Sequence, residues 1–126
     1  MANKEATVAE LTDLFSSSSA VLLTEYRGLT VAQLKELRRS ISNDATYAVA
    51  KNTLLSIAAK NAGVDAFEGQ FAGPTAVAFV SGDVVSVAKA MREFAKANPL
   101  LVVKAGYFDG AALTAAEVTK LADLES

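Results

Sequence analysis

The stretch AVLLTEYRGLTVAQLKELRRSISNDATYAVA, residues 20–50, decides the fold. Ala20 to Glu25 is an apolar run of strand length, and Tyr26-Arg27-Gly28-Leu29 behind it reads as a loop. Thr30-Val31-Ala32-Gln33 then has capping-box spacing, in which the Thr hydroxyl and the Gln side chain satisfy free backbone N–H groups at a helix start. The helix is expected to run to about Ile41. Val31, Leu34, Leu37 and Ile41 mark its buried side, and Lys35, Arg38 and Arg39 share an adjacent exposed side. Ser42-Asn43-Asp44 is a turn, and the Tyr47/Val49 alternation within residues 46–50 predicts a second strand.

On the C-terminal side, Lys51-Asn52-Thr53 opens another helix, with Asn or Thr as its cap, ending near Asn61-Ala62-Gly63. The connection from Gly63 to Pro74 holds Gly63, Gly69 and Gly73 and reads as irregular. Residues 75–80 form a third strand. Ser81-Gly82-Asp83 turns the chain into a periodic helix carrying Val84, Val87, Ala88, Met91, Phe94 and Ala95, which Asn98-Pro99 stops. Residues 100–108 are a fourth strand, Asp109-Gly110 a turn, and Thr114 to Glu117 the cap of a short last helix. On the N-terminal side, residues 5–15 form a short amphipathic helix capped at Asn3 and broken by Ser16 to Ser19. A helix, a β-α-β unit, an extra helix and a second β-α-β unit predict an α+β fold. It is of the ferredoxin-like split-βαβ type, with about four strands and additional helices, over residues 1–126 as a single domain. A three-layer, doubly wound α/β sheet is the alternative.

With 126 residues and 52% hydrophobic types the chain has enough apolar material for one core. It contains no His and no Cys, which excludes Cys/His metal sites, Ser-His-Asp triads, thiol nucleophiles, haem ligation and disulfides. There is no GxGxxG and no Walker-type loop, and Gly69-Gln-Phe-Ala-Gly73 reads as turn geometry. The carboxylates are scattered, without the spacing of a calcium loop. An enzyme is not expected, nor a cofactor or metal. The longest apolar runs fall far short of the ~18 residues of a membrane span, and the opening MANKEATVAELT lacks the apolar core of a signal peptide. A cytoplasmic protein with no membrane partner is expected.

Charge is segregated along the chain. Residues 1–25 carry one base against four acids, and residues 61–126 carry five against eight. Residues 26–60 carry Arg27, Lys35, Arg38, Arg39, Lys51 and Lys60 against Glu36 and Asp44, a net of +4. Such a block is either an ordinary solvated helix face or an anion-binding face within an otherwise acidic chain. Tyr26-Arg27-Gly28 has two readings as well. A base stacks on a ring, a guanidinium grips phosphate and Gly lets the backbone approach closely; alternatively, a strand-end Tyr packs on the core beside a loop Gly. Lys51-Asn52-Thr53 is either simple helix capping or an anion site at a helix start.

Taken together, EYRGLTVAQLKELRR at 25–39, TYAVAKNTLLSIAAKNAG at 46–63, GPTAVAF at 73–79 and VVKAGYFDGAALTAAEV at 102–118 resemble the bacterial large-subunit ribosomal protein L ten family. The four blocks stand in order and cover nearly the whole chain. The resemblance implies a structural protein at the base of the ribosomal stalk, bound to large-subunit ribosomal RNA in the GTPase-associated region beside a neighbouring ribosomal protein, and supporting translation-factor recruitment. It implies no catalysis, and a ribosome-associated place in the cytoplasm. In the family a long helix follows a segment like ADLES and carries dimers of the acidic stalk protein; that partner is expected only where the helix is present. Carried over by position, the YRGLT block puts Arg27 and Gly28 at the RNA, and the KNT block Lys51, Asn52 and Thr53. Lys35, Arg38 and Arg39 join them from the helix stripe, and Lys4 from the N-terminal segment. Their expected role is contact with phosphate and sugar of a folded RNA. The competing classes are a ferredoxin-like small-molecule sensing domain and a protein-interaction module.

Overall fold

The strand Ala20–Glu25 (β1) is the middle of a five-stranded sheet in the computed structural model, which describes residues 4–64, 67, 69, 71, 73–108 and 110–122. Before it comes α1 (Lys4–Ser17); after it come α2 (Val31–Ile41), β2 (Ala45–Val49), α3 (Asn52–Asn61), β3 (Thr75–Val80), α4 (Val84–Ala97), β4 (Val102–Phe108), β5 (Ala111–Thr114) and α5 (Ala115–Ala122). The order across the sheet is β2-β3-β1-β4-β5, and every neighbouring pair is antiparallel. Because β1 and β2 each lie antiparallel to β3, they run in the same direction with β3 between them. Helix α2 is the crossover that makes this a split-βαβ, ferredoxin-like α+β fold.

β1 reads as an unbroken apolar run because both of its faces are buried. Ala20 and Leu22 pack with Leu37 and Ile41 of α2, with Val87, Met91 and Phe94 of α4 and with Val118 of α5. Val21 and Leu23 pack with Leu11 and Phe15 of α1 and with Leu55, Ala58 and Ala59 of α3. β3 divides its side chains in the same way. Phe15 fastens α1 to the sheet edge-on against Phe79, ring centroids 4.9 Å apart. The molecule is thus three-layered, as the alternative reading had it, but antiparallel pairing rules out a doubly wound parallel sheet.

The four expected strands are present, and β5 is a fifth. Its four residues pair with Ala105 to Phe108 after the turn at Gly110, whose φ is +78°. Three local readings are corrected. The serines do not end α1 at once, since Ser16 and Ser17 belong to it. Val31, in the first turn of α2, is 70% exposed, and burial on this helix falls instead on Leu37 and Ile41. Lys51 holds the cap position of α3 and makes no side-chain cap hydrogen bond, so neither Asn52 nor Thr53 caps that helix. The proposed cap Asn3 and the turn residue Asp109 lie outside the described residues. The two capping boxes have the geometry their spacing predicts. Gln33 N–H donates to Thr30 Oγ1 at 3.1 Å and Thr30 N–H to Gln33 Oε1 at 2.9 Å; Thr114 and Glu117 make the same exchange at 3.2 and 2.9 Å.

Candidate nucleic-acid interface

The register brings four chain segments to one end of the sheet. Glu25, the last residue of β1, lies opposite both Thr75 and Val102, and Val49, the last of β2, lies opposite Ala76. The segments 26–30, 50–51, 73–74 and 98–101 are therefore neighbours, although up to 75 positions separate them in the chain.

Gly73 is the junction between them. Its carbonyl accepts Asn52 Nδ2–H at 2.9 Å and the Thr75 hydroxyl at 3.1 Å, while Tyr26 N–H donates to the next carbonyl, Pro74 O, at 3.0 Å. Gly73 has φ +71°, and a Cβ there would stand 2.5 Å from Glu25 Oε1 and 3.0 Å from Arg27 Nη2. The positive φ is what favours glycine here, and the flexible ends of the Glu25 and Arg27 side chains cross over it. Around this junction lies a cleft of about 550 Å³, walled by Tyr26, by Val49 to Thr53 and by Gly73 to Thr75. Asn52 Oδ1 is buried on this wall with no hydrogen-bond partner.

The expected site residues are distributed unequally. Lys51, Asn52 and Thr53 line the cleft, and the Arg27 side chain stands over Gly73, which lines it too. The Arg27 side chain is 70% exposed, and its Nε stands 3.9 Å from Glu25 Oε2, a surface contact that leaves the guanidinium open to an anion. Gly28 belongs to the same loop but faces elsewhere. Its φ is +85°, and a Cβ there would come within 2.9 Å of Leu100 Cδ1, so it shapes the contact between this loop and the one before β4. Lys35, Arg38 and Arg39 are all exposed on α2. Arg38 Nε–H donates to Tyr47 O at 3.3 Å, laying its guanidinium along the outer edge of β2. Arg39 lies in the last turn of a helix about 16 Å long, at the far end from Arg27. The bases thus form a cleft cluster and a band along α2 and β2. Lys4 opens α1, and its side chain lies outside the described residues.

Sequence reasoning left Val49, Gly73 and Pro74 out of the site. The block GPTAVAF contains two of them, but only strand pairing shows that its first residues abut Asn52.

The chain thus has an antiparallel, ferredoxin-like α+β fold with a cleft at one end of its sheet, and no cluster of three or more potential metal ligands among the described residues. Comparison with known proteins makes the class specific: the chain belongs to the Ribosomal protein L10 family, whose sequence profile matches residues 1–96. The large ribosomal subunit protein uL10 of Leifsonia xyli is 72% identical over 126 residues, covering all of this chain and 73% of that protein. The uL10 of Beutenbergia cavernae is 68% identical over 124 residues, 98% of this chain and 72% of that one. That of Streptomyces virginiae is 65% identical over 124 residues, 98% and 67% respectively. A member of this family is a structural ribosomal protein, a ribonucleoprotein component in translation rather than an enzyme. No described helix is long and apolar enough to cross a membrane.

Proposed function

We propose that the chain acts as one RNA-binding unit over residues 1–126, in the large ribosomal subunit of the cytoplasm. It grips large-subunit ribosomal RNA at the base of the stalk and so supports translation-factor recruitment. The observation that carries this reading is the cleft lined by Lys51, Asn52, Thr53 and Gly73, with Arg27 over Gly73, within a family of ribosomal proteins. Arg27 and Lys51 supply charge to phosphate oxygens, and Asn52 and Thr53 bring polar groups at the start of α3. Gly28 holds the loop, and Lys35, Arg38 and Arg39 extend the positive surface along α2. Lys4 is included from the N-terminal segment. A neighbouring ribosomal protein would find apolar surface at the exposed Val31, Leu100 and Val102, and acidic stalk-protein dimers enter where the family's long C-terminal helix follows.

Titration of a transcript of the stalk-base region of large-subunit ribosomal RNA at several salt concentrations tests this. With about four to six phosphates neutralised, the logarithm of affinity falls against log salt with a slope of roughly −3 to −5. Arg27→Ala with Lys51→Ala makes the slope shallower by about 2, with circular dichroism unchanged. A slope near zero in the parent, or unchanged affinity in the double variant, overturns the reading.

A further inference from the structure

Resting on the reading that this chain binds RNA, we propose that the cleft at the end of β1 and β2 seats one unpaired nucleotide. Its base lies against the wall of Tyr26, Val49 and Pro74, and its phosphate meets Lys51 and Arg27 at the rim.

The walls of the cleft are of two chemistries. Lys51 to Thr53 contribute polar and cationic groups to its lining, and Tyr26, Val49 and Pro74 contribute aromatic and aliphatic ones. Val49 is 42% exposed, although Tyr47, two residues earlier on the same face of β2, is 3% exposed. The strand carries its last apolar side chain past the core and into the cleft.

A paired helix does not match such a wall. It presents phosphates and sugars outward and keeps its base faces stacked within, so a purely backbone-binding site has no use for a ring and a valine beside its lysine. An unstacked base has an apolar π-face that seeks an aromatic or aliphatic surface, and it is never far from its own phosphate. The cleft, about 550 Å³, stands open toward solvent rather than enclosed, so a nucleotide can enter it from a strand that continues past it.

Stacking and charge separate in a salt titration, because a lost stacking contact weakens binding without changing how many counterions are released. Against the stalk-base transcript, Tyr26→Leu should bind at least about 5-fold more weakly at every salt concentration, with the parent's slope. Tyr26→Phe keeps the ring and should bind within about 2-fold of the parent. Lys51→Ala should make the slope shallower by about 1. Because Tyr26 also touches the core, Val49→Ser on the exposed strand end is the second variant, weakened with an unchanged slope. Irradiation of the parent complex at ultraviolet wavelengths, followed by mass spectrometry, should place nucleotide adducts on Tyr26 or within residues 49–53. RNA binding with no adduct there, and with Tyr26→Leu and Val49→Ser as tight as the parent, overturns the nucleotide seat and leaves RNA binding standing. Failure of the parent to bind the transcript overturns both.

Discussion

Tyr47 lies across β3 in the core, 3% exposed, and reaches Thr24 on β1 with its hydroxyl at 2.7 Å. It does so over Ala76 and Ala78, whose small side chains leave room for a ring. The Thr24 hydroxyl has one proton and donates it to Ala76 O at 2.9 Å, so the tyrosine must be the donor in the 2.7 Å bond. That arrangement requires the neutral phenol. Burial raises the Tyr47 pKa to about 12. The unfolded chain titrates near pH ~10, below the native value. Between these values the unfolded state gives up a proton that the native state retains, so stability falls as pH rises through that window and is complete below it. The loss approaches about 2–3 kcal/mol at the upper end. Tyr47→Phe should cost about 1 kcal/mol at neutral pH and show a flatter decline in urea-unfolding free energy above pH ~10. Parallel declines in the two proteins would show that Tyr47 does not contribute to the alkaline limit.

Between elements, the closest approach involving a glycine within a strand is that of α5 to the sheet. Gly106 of β4 lies opposite Leu22, and a Cβ there would stand 2.7 Å from Val118 Cγ2 and 3.1 Å from Leu22 Cδ2. Gly106→Ala should therefore overpack this contact and cost about 1–3 kcal/mol, read as a lower thermal midpoint. Val118→Ala, itself destabilising, should recover part of the loss when combined with it. A purely additive double variant would place the strain elsewhere. Elements whose signals are local were legible in the sequence: β1 and β3 as apolar runs, and α2 and α5 from Thr30-Gln33 and Thr114-Glu117. β5 was hidden because four residues after a Gly turn carry little pattern, and pairing with Ala105 to Phe108 is what makes them a strand. Val31 had helical spacing for burial, but spacing along a helix does not say how far toward its first turn the packed surface reaches.

At the scale of the molecule, fold topology decides which charged groups can act together. The split-βαβ order sets the end of β1 beside the start of β3, and so brings Arg27 over Gly73, on the cleft that Lys51 also lines. The residue types at this cleft were legible as two basic motifs; their meeting was not, because it depends on a contact with a third segment that carries no charge. The same topology carries Lys35, Arg38 and Arg39 away from it, on α2 beside the outer edge of β2, where Arg38 is tied to Tyr47 O. An RNA seated in the cleft and continuing along that edge would release counterions at both places. Lys35→Ala with Arg39→Ala, which changes only exposed side chains, should then make the salt slope shallower by up to about 2 without altering cleft adducts or thermal stability. Lys89→Ala on α4 removes an exposed charge outside the band and should leave the slope unchanged. If the Lys35/Arg39 variant keeps the parent slope, the RNA contact ends at the cleft; if Lys89→Ala shifts it equally, the effect is one of net charge and the band has no special part in the grip.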